Sequence, residues 1–199
     1  MKYFEQIKNR IREQIDKCIS DLSDFLSEKE TYIISCNGDP LKTDKVWFIE
    51  LREKNMTSKF VISCVIDSGE EVARYILHRY VLLLQSFGYS IVDEVGEEFD
   101  FSEKDIDTMI EFSEFFKNNS SVTIENDYDN DCFNIICSNK NDGTVFASVK
   151  DISARGSWVI TKQLVIMMAG LGKFVKTSDN TIGNKYGIVE FIPNNEKNQ

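Results

Sequence analysis

The sequence contains a single histidine, His78, and this scarcity limits the chemistry that the chain can perform. A Ser-His-Asp triad needs a histidine beside its nucleophile, and a histidine-rich metal centre needs several. His78 lies within an apolar helical pattern, where we expect it on a helix flank rather than acting as a base. We predict no catalytic residue, no metal ligand set and no cofactor.

Long apolar runs and paired cysteine motifs are also absent from the sequence. No window approaches the roughly 18 apolar residues that a membrane-spanning helix needs. The first residues, MKYFEQIKNRIREQ, are charged where a signal peptide would be apolar. No cysteine pair has Cys-x-x-Cys spacing, and the number of cysteines is odd, so we expect reduced, mostly buried thiols in a cytoplasmic protein. The cysteines are Cys18, Cys36, Cys64, Cys132 and Cys137.

Negative charge is plentiful but unevenly distributed. The net charge of the chain is −10. Residues 93–131 contain fourteen Asp or Glu and two Lys, a net charge of −12, so the rest of the chain carries about +2. Such a field repels nucleic-acid backbones and attracts basic proteins. It is equally typical of a solvated face that keeps a protein soluble, and of a protein that mimics nucleic acid.

Apolar periodicity predicts the elements of the first half. Residues 2–28 have apolar residues at three- and four-residue steps, which indicates a helix with one buried face. The strand-like segments TYIISC, KVWFIEL and KFVISCVI follow as a meander. A second helix is expected to open at Asp67 or Ser68 and to end at Gly88 in the left-handed conformation. YSIVDE and GEEFDF are predicted as closing strands.

The second half repeats this order. Ser102 and Asp105 in FSEKDI are placed as a helix N-cap and a capping-box acid, and the helix is expected to run to about Lys117. The segments SSVTIE, CFNIIC and TVFASVK are predicted strands, and a helix ending at Gly170 or Gly172 follows. KFVKTS and YGIVEFI complete the pattern. LLLQSFGYSIV aligns with IMMAGLGKFV at an offset of 84 residues, which indicates an internal duplication.

The sequence therefore predicts an α+β fold of two similar lobes, residues 1–100 and 101–199, which may also pack as one unit. Each lobe is expected to contain an antiparallel sheet packed against helices in the order helix-βββ-helix-ββ. The last helix is apolar nearly all round, so it is expected either to lie between the lobes or to present one side to a partner. 

The order helix-βββ-helix-ββ resembles the fold of type III secretion chaperones and their chaperone-like relatives. The resemblance covers both halves and concerns element order rather than a sequence motif. It implies a small, acidic, cytoplasmic, dimeric protein that binds an extended stretch of a client protein. Two copies in one chain would look like a fused pseudo-dimer, so we expect a monomer of this kind or a homodimer.

Two motifs resemble ligand sites but lack residues that those sites require. Asp127, Asp129 and Asp131 alternate like the first ligands of an EF-hand loop, but Cys132 stands where glycine is needed and Ser138 where glutamate is needed. A hairpin turn explains them more simply. GLGK (170–173) lacks the remaining residues of a phosphate loop and lies at a helix C-terminus, whereas phosphate binds at helix N-termini.

We expect a non-enzymatic module that binds a basic protein, as a chaperone, an adaptor or an inhibitor of the immunity-protein kind. No direct nucleic-acid or membrane binding is expected. One alternative is an acidic nucleic-acid mimic that blocks a DNA- or RNA-binding protein, and another is a carboxylate- or metal-dependent hydrolase. The residues predicted to contact the partner are Glu97, Glu98, Asp100, Asp127, Asp129 and Asp131.

Overall fold

The computed structural model describes residues 2–26, 30–39, 45–178 and 188–191. These residues form four helices and nine strands, and the predicted α+β fold with a repeated element order is confirmed. The first half contains α1 (Lys2–Phe25), β1 (Thr31–Asp39), β2 (Val46–Glu53), β3 (Lys59–Val65), α2 (Glu70–Ser86) and β4 (Ser90–Val92). The second half contains α3 (Glu103–Asn118), β5 (Ser121–Asp129), β6 (Cys132–Ser138), β7 (Gly143–Val149), α4 (Ala154–Gly170), β8 (Phe174–Ser178) and β9 (Ile188–Phe191). 

The two sheets share one four-strand topology, to which the second sheet adds β9. The first sheet has the strand order β3-β2-β1-β4, and the second has the order β7-β6-β5-β8-β9. The three strands of each meander pair antiparallel, whereas β4 runs parallel to β1 and β8 runs parallel to β5. The sheets are therefore mixed rather than wholly antiparallel, because each chain half returns through a crossover helix to lie beside its first strand.

Backbone details repeat together with the topology. Asp67 and Asp151 both have positive φ (56° and 55°), and so do Gly88 and Gly172 (92° and 87°). The members of each pair are 84 residues apart in the sequence (67 to 151, 88 to 172), which is the offset of the aligned segments. The meanders also share a register shift between the second and third strands, at Ile49 and Ile135. Gly88 ends α2 in the left-handed conformation, as predicted.

Some predicted boundaries differ from the observed ones. The N-cap of α2 is Gly69 rather than Asp67 or Ser68, because the Asp67 carboxylate accepts a hydrogen bond from Ser153 Oγ of the other half (2.8 Å). GEEFDF contributes one isolated bridge, between Val92 and Glu98, instead of a strand. The end of the first predicted helix (27–28) and the start of YGIVEFI (186–187) lie outside the described residues.

Each half places its first helix against the second helix of the other half. α1 packs against α4, and α3 packs against α2. α4 also contacts β3 of the first sheet and β5, β6 and β8 of the second, so it lies between the halves. A single hydrophobic core extends from Ile15 to Val175. The two repeated sets of elements thus share one core within the described residues.

None of the helices within the described ranges is long and apolar enough to cross a membrane. 

Candidate functional site

The predicted hairpin is present, and it contains three of the six predicted contact residues, Asp127, Asp129 and Asp131. β5 and β6 pair antiparallel up to Asp129 and Cys132, so β5 continues four residues beyond the predicted segment SSVTIE. The two turn residues, Asn130 and Asp131, have φ values of 51° and 61°. Positive φ at both positions is typical of a type I′ turn, which asparagine and aspartate tolerate.

Strand alternation gathers the carboxylates of β5 on one face. Val122 and Ile124 are buried on the inner face of the second sheet. Glu125, Asp127 and Asp129 are exposed, and strand alternation places them on the face opposite Val122 and Ile124, where they form a row. Successive carboxylates along this row are about 6.8 Å apart along the strand. We call Glu125, Asp127, Asp129 and Asp131 the hairpin surface.

Local hydrogen bonds hold the tip of the hairpin surface. Asp127 Oδ1 accepts a hydrogen bond from the backbone N–H of Tyr128 (2.9 Å), and Asp129 Oδ2 accepts one from Asn130 Nδ2 (2.7 Å). The Tyr128 hydroxyl donates to Asp131 Oδ1 (3.3 Å), and the negative charge of Asp131 raises the pKa of Tyr128. The aspartates therefore stabilise a turn. Within the described ranges, no three His, Cys, Asp or Glu residues are grouped so as to hold a metal ion.

The other three predicted residues lie in the connection between β4 and α3. Asp93 Oδ1 accepts hydrogen bonds from the backbone N–H groups of Val95 (3.0 Å) and Glu97 (2.8 Å), which fixes a tight turn. Glu97, Glu98 and Asp100 are all exposed on this connection. We call these three residues the loop surface.

The two acidic surfaces lie at opposite ends of α2. Glu98 lines a cleft with Gln85 and Gly88, at the C-terminus of the helix. Cys132, next to the hairpin turn, lines another cleft with Val72 near the N-terminus. Val72 and Gln85 are about 20 Å apart along the helix axis. The structure thus separates the six predicted residues into two groups of three, and it adds Glu125 to the hairpin group.

No described lysine or arginine neutralises these six carboxylates. Among the described residues, ion pairs join Lys59 to Glu50, Arg74 to Glu70 and His78 to Asp105, and none of these pairs includes one of the six carboxylates. The hydrogen bonds to these carboxylates come from one backbone amide, an asparagine and a tyrosine. Their negative charge is consequently available to solvent and to a binding partner.

A polar cluster joins α2 to the start of α3. Its capping box was predicted from the sequence, but its contact between the two helices was not. Ser102 and Asp105 form the predicted capping box, in which Ser102 Oγ donates to Asp105 Oδ2 (2.6 Å). Asp105 Oδ1 also lies 2.8 Å from His78 Nε2, 27 residues away in the sequence. The hydrogen bonds from Ser102 and then from His78 lower the pKa of Asp105 to about 2. His78 thus lies on a helix flank, as predicted, with a structural partner.

Replacing Asp105 by Asn is expected to reduce stability by about 1 kcal/mol at neutral pH, because the capping interactions with Ser102 weaken. The pKa of Asp105 is lower in the folded chain than in the unfolded chain, so its ionised form stabilises the fold above the unfolded value. The difference between the two proteins should shrink as the pH falls from about 4 towards 2. Urea unfolding across this range measures it, with the exposed Asp107→Asn as the control. A difference that is independent of pH would contradict this assignment.

The GLGK segment contributes to the ends of two helices. Gly172 has φ +87° and follows the end of α4, which matches the prediction that this helix ends at Gly170 or Gly172. Lys173 Nζ donates to the backbone oxygens of Phe116 and Asn119 at the C-terminus of α3, the latter at 3.0 Å. A positive charge is favourable there because it opposes the negative end of the helix dipole. Burial lowers the pKa of Lys173.

Comparison with known proteins identifies no family for this chain. The chain matches no family model, and no curated protein or solved structure matches it either. The resemblance to type III secretion chaperones therefore stays a prediction based on element order.

Proposed function

We propose that this chain is a non-enzymatic protein-binding module that acts in the cytoplasm as a chaperone, adaptor or inhibitor. Its partner is a basic protein, which the acidic surfaces attract and orient. The observation that carries this proposal is that six exposed carboxylates remain without an ion pair among the described residues. Unneutralised charge of one sign accelerates association with a partner of the opposite sign and disfavours wrong partners.

The hairpin surface is the better candidate for the main contact. Glu125, Asp127 and Asp129 lie on the part of β5 that pairs with β6, so their spacing is fixed by strand pairing. The loop surface lies on an irregular connection whose turn is held by Asp93. Groups on paired strands are positioned more precisely than groups on loops, and they lose less conformational entropy on binding.

Reversing the charge of the hairpin surface in the double variant Asp127→Lys/Asp129→Lys is expected to reduce partner capture by at least about tenfold, because repulsion replaces attraction. The measurement is affinity capture from native lysate with a salt gradient, followed by identification of the bound protein. Asp21→Lys/Asp24→Lys is the matched control, since it changes the net charge equally at two exposed residues of α1, outside both acidic surfaces. It should retain most of the captured protein.

Two results would contradict the proposal in different ways. Equal capture by the wild type and both variants, with unchanged salt dependence, would remove the hairpin surface from the interaction. Equal losses in both variants would show that net charge matters and that the hairpin surface has no special role. Circular dichroism of each variant checks that the fold is retained.

Nucleic-acid mimicry is a second candidate, and the regular spacing along β5 favours it. Glu125, Asp127 and Asp129 repeat at a constant interval on one face, as phosphates do along a nucleic-acid backbone. The same capture experiment separates the two candidates. A mimic binds a DNA- or RNA-binding protein, and added duplex DNA should displace that protein more effectively than sodium chloride of equal ionic strength.

A further inference from the structure

A groove on the surface runs between the C-terminal end of α2 and the exposed side of α3. It has a volume of about 440 Å³ and is lined by Phe87 and Gly88 from the end of α2 and by Ile106, Met109 and Ile110 from α3. Ile106 and Ile110 are 46% and 51% exposed, which is high for isoleucine. They are one helical turn apart, so they form a continuous apolar strip along the groove.

The internal duplication provides a comparison for this strip. α1 occupies the position in the first half that α3 occupies in the second, since each packs against the second helix of the other half. From Asn9 to Asp24, the exposed residues of α1 are polar or charged apart from Cys18. The fold therefore does not require apolar residues on the outer side of this helix, and Ile106 and Ile110 need a separate explanation.

Carboxylates flank the apolar strip along the length of α3. Glu103 is three residues before Ile106, Asp107 is three residues before Ile110, and Glu114 is four residues after it. Residues at these spacings are neighbours on a helix surface, and all three carboxylates are exposed. Lys117 lines the groove at its far end. An apolar strip of about one helical turn is therefore open to solvent and bordered by acids.

A second cleft continues the groove at its other side. This cleft has a volume of about 390 Å³ and shares Gln85 and Gly88 with the groove. Glu98 of the loop surface lines it, together with the partly buried rings of Phe99 and Phe101. Carboxylates thus border the combined depression from the loop surface as well as from α3.

We propose that the groove between α2 and α3 binds a basic amphipathic helix of the partner protein. This inference rests on the proposed function and identifies the chemistry of the partner segment. The apolar side of the helix packs on Ile106 and Ile110, and its lysines or arginines lie against Glu98, Glu103, Asp107 and Glu114. The distance from Ile106 to Lys117 is about 17 Å along α3, which accommodates three turns of a docked helix.

The groove favours a helix over an extended segment because of its two helical walls. A helix satisfies its own backbone hydrogen bonds, so it can cover an apolar strip that offers few backbone partners. Apolar contacts then supply affinity at the centre, and the surrounding carboxylates select a basic sequence. A second copy of α3 is a poor occupant, because five acids and two lysines give this helix a net charge of −3.

The test measures binding of the full chain to a fluorescent peptide of about 18 leucines and lysines, with leucines at helical spacing. Fluorescence anisotropy at about 0.15 M salt gives the affinity. We expect binding at least about tenfold tighter than for a scrambled isomer of the same composition. The variant Ile106→Ser/Ile110→Ser should weaken binding of the helical peptide by at least about tenfold, because it removes the apolar centre of the site.

The matched control is Phe48→Ser/Val61→Ser on the first sheet. These residues are 42% and 43% exposed, so the control removes similar apolar area from another face. It should leave the affinity unchanged within about twofold. Equal binding of the two peptides, equal losses in the two variants, or no binding of either peptide would overturn the groove proposal.

The proposed function and the groove proposal fail under different results. If both peptides bind equally and Asp127→Lys/Asp129→Lys alone weakens them, the acidic surface functions and the groove proposal is wrong. If lysate capture is insensitive to every charge reversal while the helical peptide still requires Ile106 and Ile110, the proposed acidic function is wrong and the groove stands. A concentration-dependent dimer that Ile106→Ser/Ile110→Ser abolishes would identify a second copy of this chain as the occupant and overturn the assignment to a partner.

Discussion

Replacing Phe112 by Ala is expected to destabilise the protein by about 3–5 kcal/mol, the usual range for removing a buried phenylalanine. The Phe112 ring is fully buried on α3, with ring centres 6.0 Å from Phe116 and 6.4 Å from Phe146. The Arg79 guanidinium of the first half lies 4.9 Å from its centroid and donates hydrogen bonds to the backbone oxygens of Phe146 and Val145. Removal of the ring therefore disturbs the contact between the halves. Chemical denaturation followed by fluorescence and circular dichroism measures the loss.

The control is Ile110→Ala, one half-turn earlier on the same helix. Ile110 is half exposed, so its truncation should change the free energy of unfolding by less than about 0.5 kcal/mol. Because one core includes both halves, Phe112→Ala should lower the stability of the whole chain in a single transition. Two separate transitions, of which one keeps the wild-type midpoint, would contradict the shared core.

Replacing Gly156 by Ala is expected to destabilise the protein by about 1–3 kcal/mol, although alanine favours helices. Gly156 is in the first turn of α4, where a Cβ atom would lie 2.6 Å from the backbone oxygen of Ile66 and 2.7 Å from Ile152 Cγ1. A backbone oxygen of the other half cannot move aside without shifting β3 or the following loop. Thermal or urea unfolding of the variant tests this prediction.

Gly170→Ala at the other end of α4 is the matched comparison. There the added Cβ would approach Leu22 Cδ2 at 2.8 Å, and a flexible leucine side chain can adjust by rotation. Gly170→Ala should therefore destabilise the protein less than Gly156→Ala. Equal effects, or a gain in stability from Gly156→Ala, would show that the halves are less closely packed at this point than the structure indicates.

Local features of the fold were predictable because neighbouring residues produce them. The capping box of α3 needs Ser102 and Asp105 three residues apart, and the hairpin turn needs two residues that tolerate positive φ. The end of α2 at Gly88 follows from the freedom of glycine in the left-handed region. The alternation of Asp127 and Asp129 likewise fixes their common face once the strand is extended to Asp129.

Other features depended on contacts between distant residues. Asp67 was predicted as a helix cap, but its carboxylate accepts a hydrogen bond from Ser153, 86 residues away. His78 has no sequence signal for its contact with Asp105, and Lys173 has none for its contacts with the end of α3. The two acidic surfaces were predicted as one region because their residues all lie between positions 93 and 131. The length of α2 separates them.

The sequence by itself determined the α+β class, the repeated order of elements, the exposed hairpin of aspartates and the excess of negative charge between residues 93 and 131. These properties follow from periodicity, turn chemistry and composition, which act over a few residues at a time. Only the tertiary structure decided that each first helix packs on the opposite half, that the acids divide into two surfaces, and that Ile106 and Ile110 remain exposed beside them. The physical reason is that burial and charge proximity depend on which faces meet in space, and one chain of alternating apolar and polar residues is compatible with several such arrangements.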